Sequence, residues 1–108
     1  MQISSFFLSM AVLVSVGSTS LSADVTRGQK WYTKECKSCH GNGTKGAAMH
    51  TQDEWDELFA NDASEIVKKH VGTPAEAYFK GENFKNRSKD IRDFLFEYGS
   101  DSGNVPAC

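Results

Sequence analysis

The chain has 108 residues, with twelve Lys and Arg against fourteen Asp and Glu, a formal net charge of −2. That balance excludes a purely electrostatic nucleic-acid binder, and the length allows one small domain. A chain this short has a modest core, so a covalent staple, metal or cofactor is expected to help it hold a fold.

The opening segment MQISSFFLSMAVLVSVGSTSLSA is apolar from Phe6 to Val16 and ends in small residues at Ala23. This is the form of a secretory signal peptide, with an apolar part too short to span a bilayer comfortably and a cut expected before Asp24. Its leading residues lack Lys and Arg, and an uncleaved membrane anchor is the rival reading. The expected organisation is a signal peptide over residues 1–23, a domain over 24–99 and a polar tail over 100–108. Every charged residue falls at or after Asp24. Lys30, Lys34, Lys37 and Lys45 bracket residues 36–40, whereas residues 53–65 hold six acids and no base. Such asymmetry orients a docking partner or marks solvated faces.

Residues 24–35 read as an amphipathic helix with Val25, Gly28, Trp31 and Tyr32 on one face. Residues 40–48 contain Gly41, Gly43 and Gly46 and read as loop. A short helix over 52–60 carries Trp55, Leu58 and Phe59. Asp62-Ala-Ser-Glu65 has the form of a capping box opening a further helix with Ile66 and Val67 inward. Thr73-Pro74-Ala75-Glu76 repeats the start signal for a turn or two over 75–80. Residues 88–98 place Ile91, Phe94, Leu95 and Tyr98 on one stripe of a last helix, stopped by Gly99. No alternating strand pattern appears, so the fold class is all-α. The tail SDSGNVPAC reads as flexible or loosely docked.

The chemistry is concentrated in CKSCHGNG, where two residues separate Cys36 from Cys39 and His40 follows. C-x-x-C-H is the attachment pattern of c-type haem: two thiols bond one porphyrin edge, and the adjoining imidazole reaches the iron. Two rivals use the same atoms. A thioredoxin-like pair requires a preceding strand, which is lacking here. A zinc site requires a fourth ligand, for which His50 or Cys108 is the candidate.

On these residues the chain resembles the class I cytochromes c, in particular small bacterial periplasmic members. Gly28 and Tyr32 stand eight and four residues before Cys36, and Leu95 and Tyr98 match the aliphatic and aromatic pair of the family's last helix. The resemblance implies that the N- and C-terminal helices cross, with glycine allowing close approach, while short helices and loops wrap one covalently bound haem. The segment DEWDELF is also similar to small bacterial members; the resemblance implies that the Trp55 indole donates to a haem propionate, and an ordinary core tryptophan is the alternative.

The departure lies on the distal side. Class I members usually supply a methionine there from a loop ahead of the last helix, and this chain has none after Met49. The remaining candidates are Met49, His50, His70 and Tyr78, or an open position. His70 is named as the candidate metal ligand beside His40 because the family lays its helix near the distal haem edge; a helix-end histidine facing the dipole is the bland alternative. A fold-back of the Cys108 thiol is a further possibility in principle.

The expected function is therefore a periplasmic monohaem one-electron carrier, with haem c as cofactor and a redox protein with an acidic docking surface as partner. It is not expected to be an enzyme. An open distal position instead implies ligand binding or peroxide chemistry, although no His/Arg pair is committed to peroxide cleavage. Cys108, left over once Cys36 and Cys39 hold haem, raises a disulfide to a partner and a tethered subunit of a larger redox complex.

Overall fold

The computed structural model describes residues 21–107, with side chains from Val25 onward. The leader expected over residues 1–23 lies almost wholly outside the described residues, as does Cys108. No described helix is long and apolar enough to cross a membrane. The described residues form six helices and no strand: α1 (Leu21–Glu35), α2 (Lys37–His40), α3 (Gly43–Ala47), α4 (Gln52–Lys69), α5 (Glu76–Phe79) and α6 (Glu82–Glu97). This is the all-α fold class expected from the sequence, and it is consistent with the class I cytochrome c resemblance.

The fold is organised by the crossing of α1 and α6. Gly28 makes the close approach possible: a Cβ there would lie 1.9 Å from the Asp90 carbonyl oxygen and 2.8 Å from Phe94 Cβ. Phe94 is fully buried at the crossing, its ring centre 5.5 Å from that of Tyr32 and 5.4 Å from that of Tyr98. The Arg27 guanidinium donates to Asp90 from the exposed side of the same contact. The expected crossing of Gly28 and Tyr32 with the last helix is therefore present.

α6 begins at Glu82, well ahead of the expected start at residue 88. The added turns are held by Phe84, which is buried seven residues before Ile91 and so returns to the same face after two turns. The polar run between these residues conceals the continuity in the sequence.

Thr51 and Glu54 form the capping box that opens α4: Glu54 N–H donates to Thr51 Oγ1 at 3.2 Å, and Thr51 N–H donates to Glu54 Oε1 at 3.1 Å. The box expected at Asp62 does not form. Ala60 is extended and Asn61, Asp62 and Ala63 have φ of 53°, 56° and 58°, so the chain turns through a left-handed kink. Ala63 is buried in that turn. The two arms on either side of the kink correspond to the two helices expected there.

Two further expectations are corrected. The glycine-rich stretch after His40 is not simply loop, because Asn42 Oδ1 accepts from Lys45 N–H at 3.0 Å and caps α3. Gly46 is there for packing: a Cβ would lie 1.9 Å from the Tyr32 hydroxyl oxygen. The tail is docked rather than loose. Asp101 Oδ1 accepts from Gln52 N–H at 2.8 Å, Pro106 is buried, and Ala107 O accepts from the Gln29 side chain on α1.

Candidate cofactor site

Helix α1 delivers the site. Its end runs into α2 through Cys36 N–H, which donates to Tyr32 O at 2.8 Å, and His40 N–H donates back to Cys36 O at 3.0 Å. Cys36, Cys39 and His40 thus occupy one helical turn, at the spacing that puts all three on neighbouring positions of one face. The Tyr32 hydroxyl donates to Gly41 O at 2.7 Å and ties this turn to the helix crossing.

Both thiols are free. Cys39 is exposed, whereas Cys36 is half-buried and its pKa is pushed up to about 12, chiefly by burial and further by Glu35 and Cys39. The Cys36 thiol is therefore protonated at neutral pH. Burial, then the neighbouring His70, pulls His40 below the ordinary histidine range, which favours the neutral imidazole.

Two adjoining cavities open beside this turn. One, of about 180 Å³, is walled by side chains such as Trp55, Leu58, Phe59, Ile66 and Leu95. The other, of about 360 Å³, has Cys36, Cys39 and His40 on one side and Thr73, Pro74 and Phe79 on the other. Cys36, His40, Lys69, His70 and Phe79 line both.

His70 stands across from His40, with ring centres 6.0 Å apart and planes at 82°. It caps the C-terminal end of α4, its Nδ1 lies 2.6 Å from Ile66 O, and Phe79 stacks on its face at 3.8 Å and 18°. The segment after it is fastened by Thr73, whose hydroxyl donates to His70 O at 2.7 Å and accepts from Ala75 N–H at 3.2 Å. The Thr73 start signal is thus spent on a turn, and α5 begins only at Glu76.

The other distal candidates are placed differently. Met49 and His50 line the smaller cavity, Met49 largely exposed and His50 with Nδ1 3.5 Å from Glu54 Oε2. Tyr78 lines neither cavity; its ring packs on Phe79 and Phe84. Its hydroxyl is buried near the Arg87 guanidinium, and burial raises its pKa. Trp55 lines the smaller cavity, with its indole N–H donating to Ala47 O at 2.9 Å. That single donor hydrogen is committed to the backbone in this structure.

The residues fit a haem. A thiol pair and an imidazole share one turn beside two cavities, the smaller of them walled largely by aliphatic and aromatic side chains, with a second imidazole whose ring centre is 6.0 Å away. Among the described residues, which do not include Cys108, no group of three or more His, Cys, Asp or Glu is placed to hold a metal ion. Sequence reasoning missed Lys69, which lines both cavities; its position at the end of a helix gives no signal of that. It also missed the pairing of His70 with Phe79, since their separation of nine residues follows no helical period across the intervening turn.

The family model described as "Cytochrome C oxidase, cbb3-type, subunit III" matches residues 23–86, more than half of the chain and reaching from α1 into α6. No curated protein and no solved structure matched.

Proposed function

The chain belongs to this cytochrome c family, and from that membership we propose an exported one-electron carrier in which Cys36 and Cys39 hold a single haem and His40 binds its iron. The family carries covalently bound haem c, which supplies an iron centre that exchanges one electron. The observation that carries the reading is the placement of Cys36, Cys39 and His40 on one turn at the mouth of apolar cavities.

Each part of the chain has a task in this reading. The thiols fix one edge of the cofactor, while neutral His40 offers a nitrogen lone pair. The apolar wall keeps water away, which limits solvent reorganisation when charge changes. The α1 and α6 crossing holds α2 in place through Tyr32.

Electron transfer is preferred to peroxide chemistry because no arginine lines either cavity. Arg27 pairs with Asp90, Arg87 with Glu35, and Arg92 with Asp56 and Asp93. Lys30, Lys34, Lys37 and Lys45 flank the attachment turn and suit an acidic redox partner. The leader pattern supports the periplasm as the location.

A potentiometric titration of the haem-loaded protein tests the reading, with one reversible one-electron wave expected. Reduction by an acidic redox protein should slow as salt is raised. Several waves, or catalytic turnover of peroxide without a protein electron donor, would contradict it.

Assembly into a larger redox complex is a second reading, favoured by the family's description. A Cys108 disulfide to a partner predicts a heavier band on non-reducing gels of the native protein that disappears on reduction.

A further inference from the structure

The geometry points to His70 as the second axial ligand of the haem iron, opposite His40, an inference that rests on the haem reading above. Three independent observations carry it. First, the spacing suits a metal between the rings. Two metal–imidazole bonds of about 2.0 Å each, plus the ring radii, bring ring centres to roughly 6 Å, and the separation found is 6.0 Å.

Second, the imidazole is prepared chemically. Ile66 O lies 2.6 Å from Nδ1, so the carbonyl holds the proton on that nitrogen and leaves the lone pair on Nε2. A backbone carbonyl on the remote nitrogen is the usual means of fixing a ligating histidine's tautomer. Third, the ring is fixed in orientation. Phe79 stacks on it at 3.8 Å, and Phe79 is itself buried against Phe84 at 4.7 Å. A solvated helix-end histidine needs neither restraint.

The competitors are weaker on the same grounds. Tyr78 lines neither cavity, His50 faces Glu54, and Met49 is 47% exposed. Two imidazoles stabilise oxidised iron more than an imidazole and a thioether do, so the carrier works at a lower potential than its methionine-ligated relatives. With both axial positions filled, carbon monoxide finds no vacant position.

The test uses visible spectra of the haem-loaded protein, oxidised and reduced, with and without carbon monoxide, after intact mass has confirmed one covalent haem. Wild type is expected to be low-spin and unchanged by carbon monoxide. His70→Ala should become high-spin, bind carbon monoxide, and return to low-spin when free imidazole is added. His70→Met should remain low-spin with a raised midpoint potential, and it keeps the test alive if the alanine variant fails to mature. A high-spin wild type that binds carbon monoxide overturns the assignment, as does a His70→Ala spectrum identical to wild type or a His70→Met potential that does not move. A protein matured without covalent haem would instead overturn the haem reading itself.

Discussion

Where α1 crosses α6, backbone meets side chain with no slack: Gly28 leaves no room for a Cβ and Phe94 is wholly enclosed. The wall from Ile66 to Phe79 is built differently, around one carbonyl and one aromatic face that restrain His70 beside open cavities. The crossing sets stability and the position of α2. On the haem reading proposed above, the wall faces the cofactor from the side opposite His40, and substitutions in it are expected to leave the crossing intact.

Substitutions should separate these two roles. Phe94→Ala is expected to have the largest effect, costing about 4 kcal/mol through lost burial and a residual cavity, read from the urea midpoint of the haem-loaded protein. Gly28→Ala should cost about 3 kcal/mol, because either the helices separate or the Asp90 carbonyl shifts. In both variants the fraction that matures should keep the wild-type visible spectrum. A changed spectrum with unchanged stability would break the contrast.

Tyr32→Phe removes the hydroxyl that donates to Gly41 O and is expected to cost about 1 kcal/mol, in the same unfolding experiment. Phe79→Leu sharpens the contrast from the other side. Its stability cost should stay under about 1.5 kcal/mol, yet loss of the stacked face should let the His70 ring rotate. A partly high-spin spectrum at raised temperature is the expected sign.

The smallest effect concerns pH. The Glu54 carboxyl is held below the usual glutamate range, first by the Thr51 backbone N–H, then by the Thr51 side chain and His50. Its stabilisation is therefore present above the ordinary glutamate pKa and is lost as pH falls through the lowered folded value. Glu54→Gln should flatten the acid limb of the stability profile slightly, as this carboxyl is fully exposed.

The attachment turn was legible in the sequence because Cys36, Cys39 and His40 carry their chemistry within five residues. The crossing joins segments more than sixty residues apart and was expected only because Gly28, Tyr32, Leu95 and Tyr98 resemble the pattern of the class I cytochromes c. The early start of α6 was hidden because one buried residue, Phe84, holds turns that are otherwise polar. The kink at 60–63 defeated the capping signal at Asp62, since a left-handed turn around buried Ala63 depends on packing from outside the segment. Docking of the tail was equally non-local: its partners, Gln52 and Gln29, lie 49 and 78 residues before the residues they hold. His70 was readable as a candidate, but the Ile66 carbonyl and the Phe79 face that prepare it become visible only in three dimensions.

The central claim is that Cys36 and Cys39 hold one haem. Intact mass of the native protein, and of protein co-expressed with a c-type haem attachment system, measures it most directly, alongside a Cys36→Ala/Cys39→Ala variant. The account predicts a gain of one haem mass that survives denaturation in the wild type and is absent from the variant. A wild-type mass without haem, with the two cysteines joined as a disulfide or holding zinc, would contradict it.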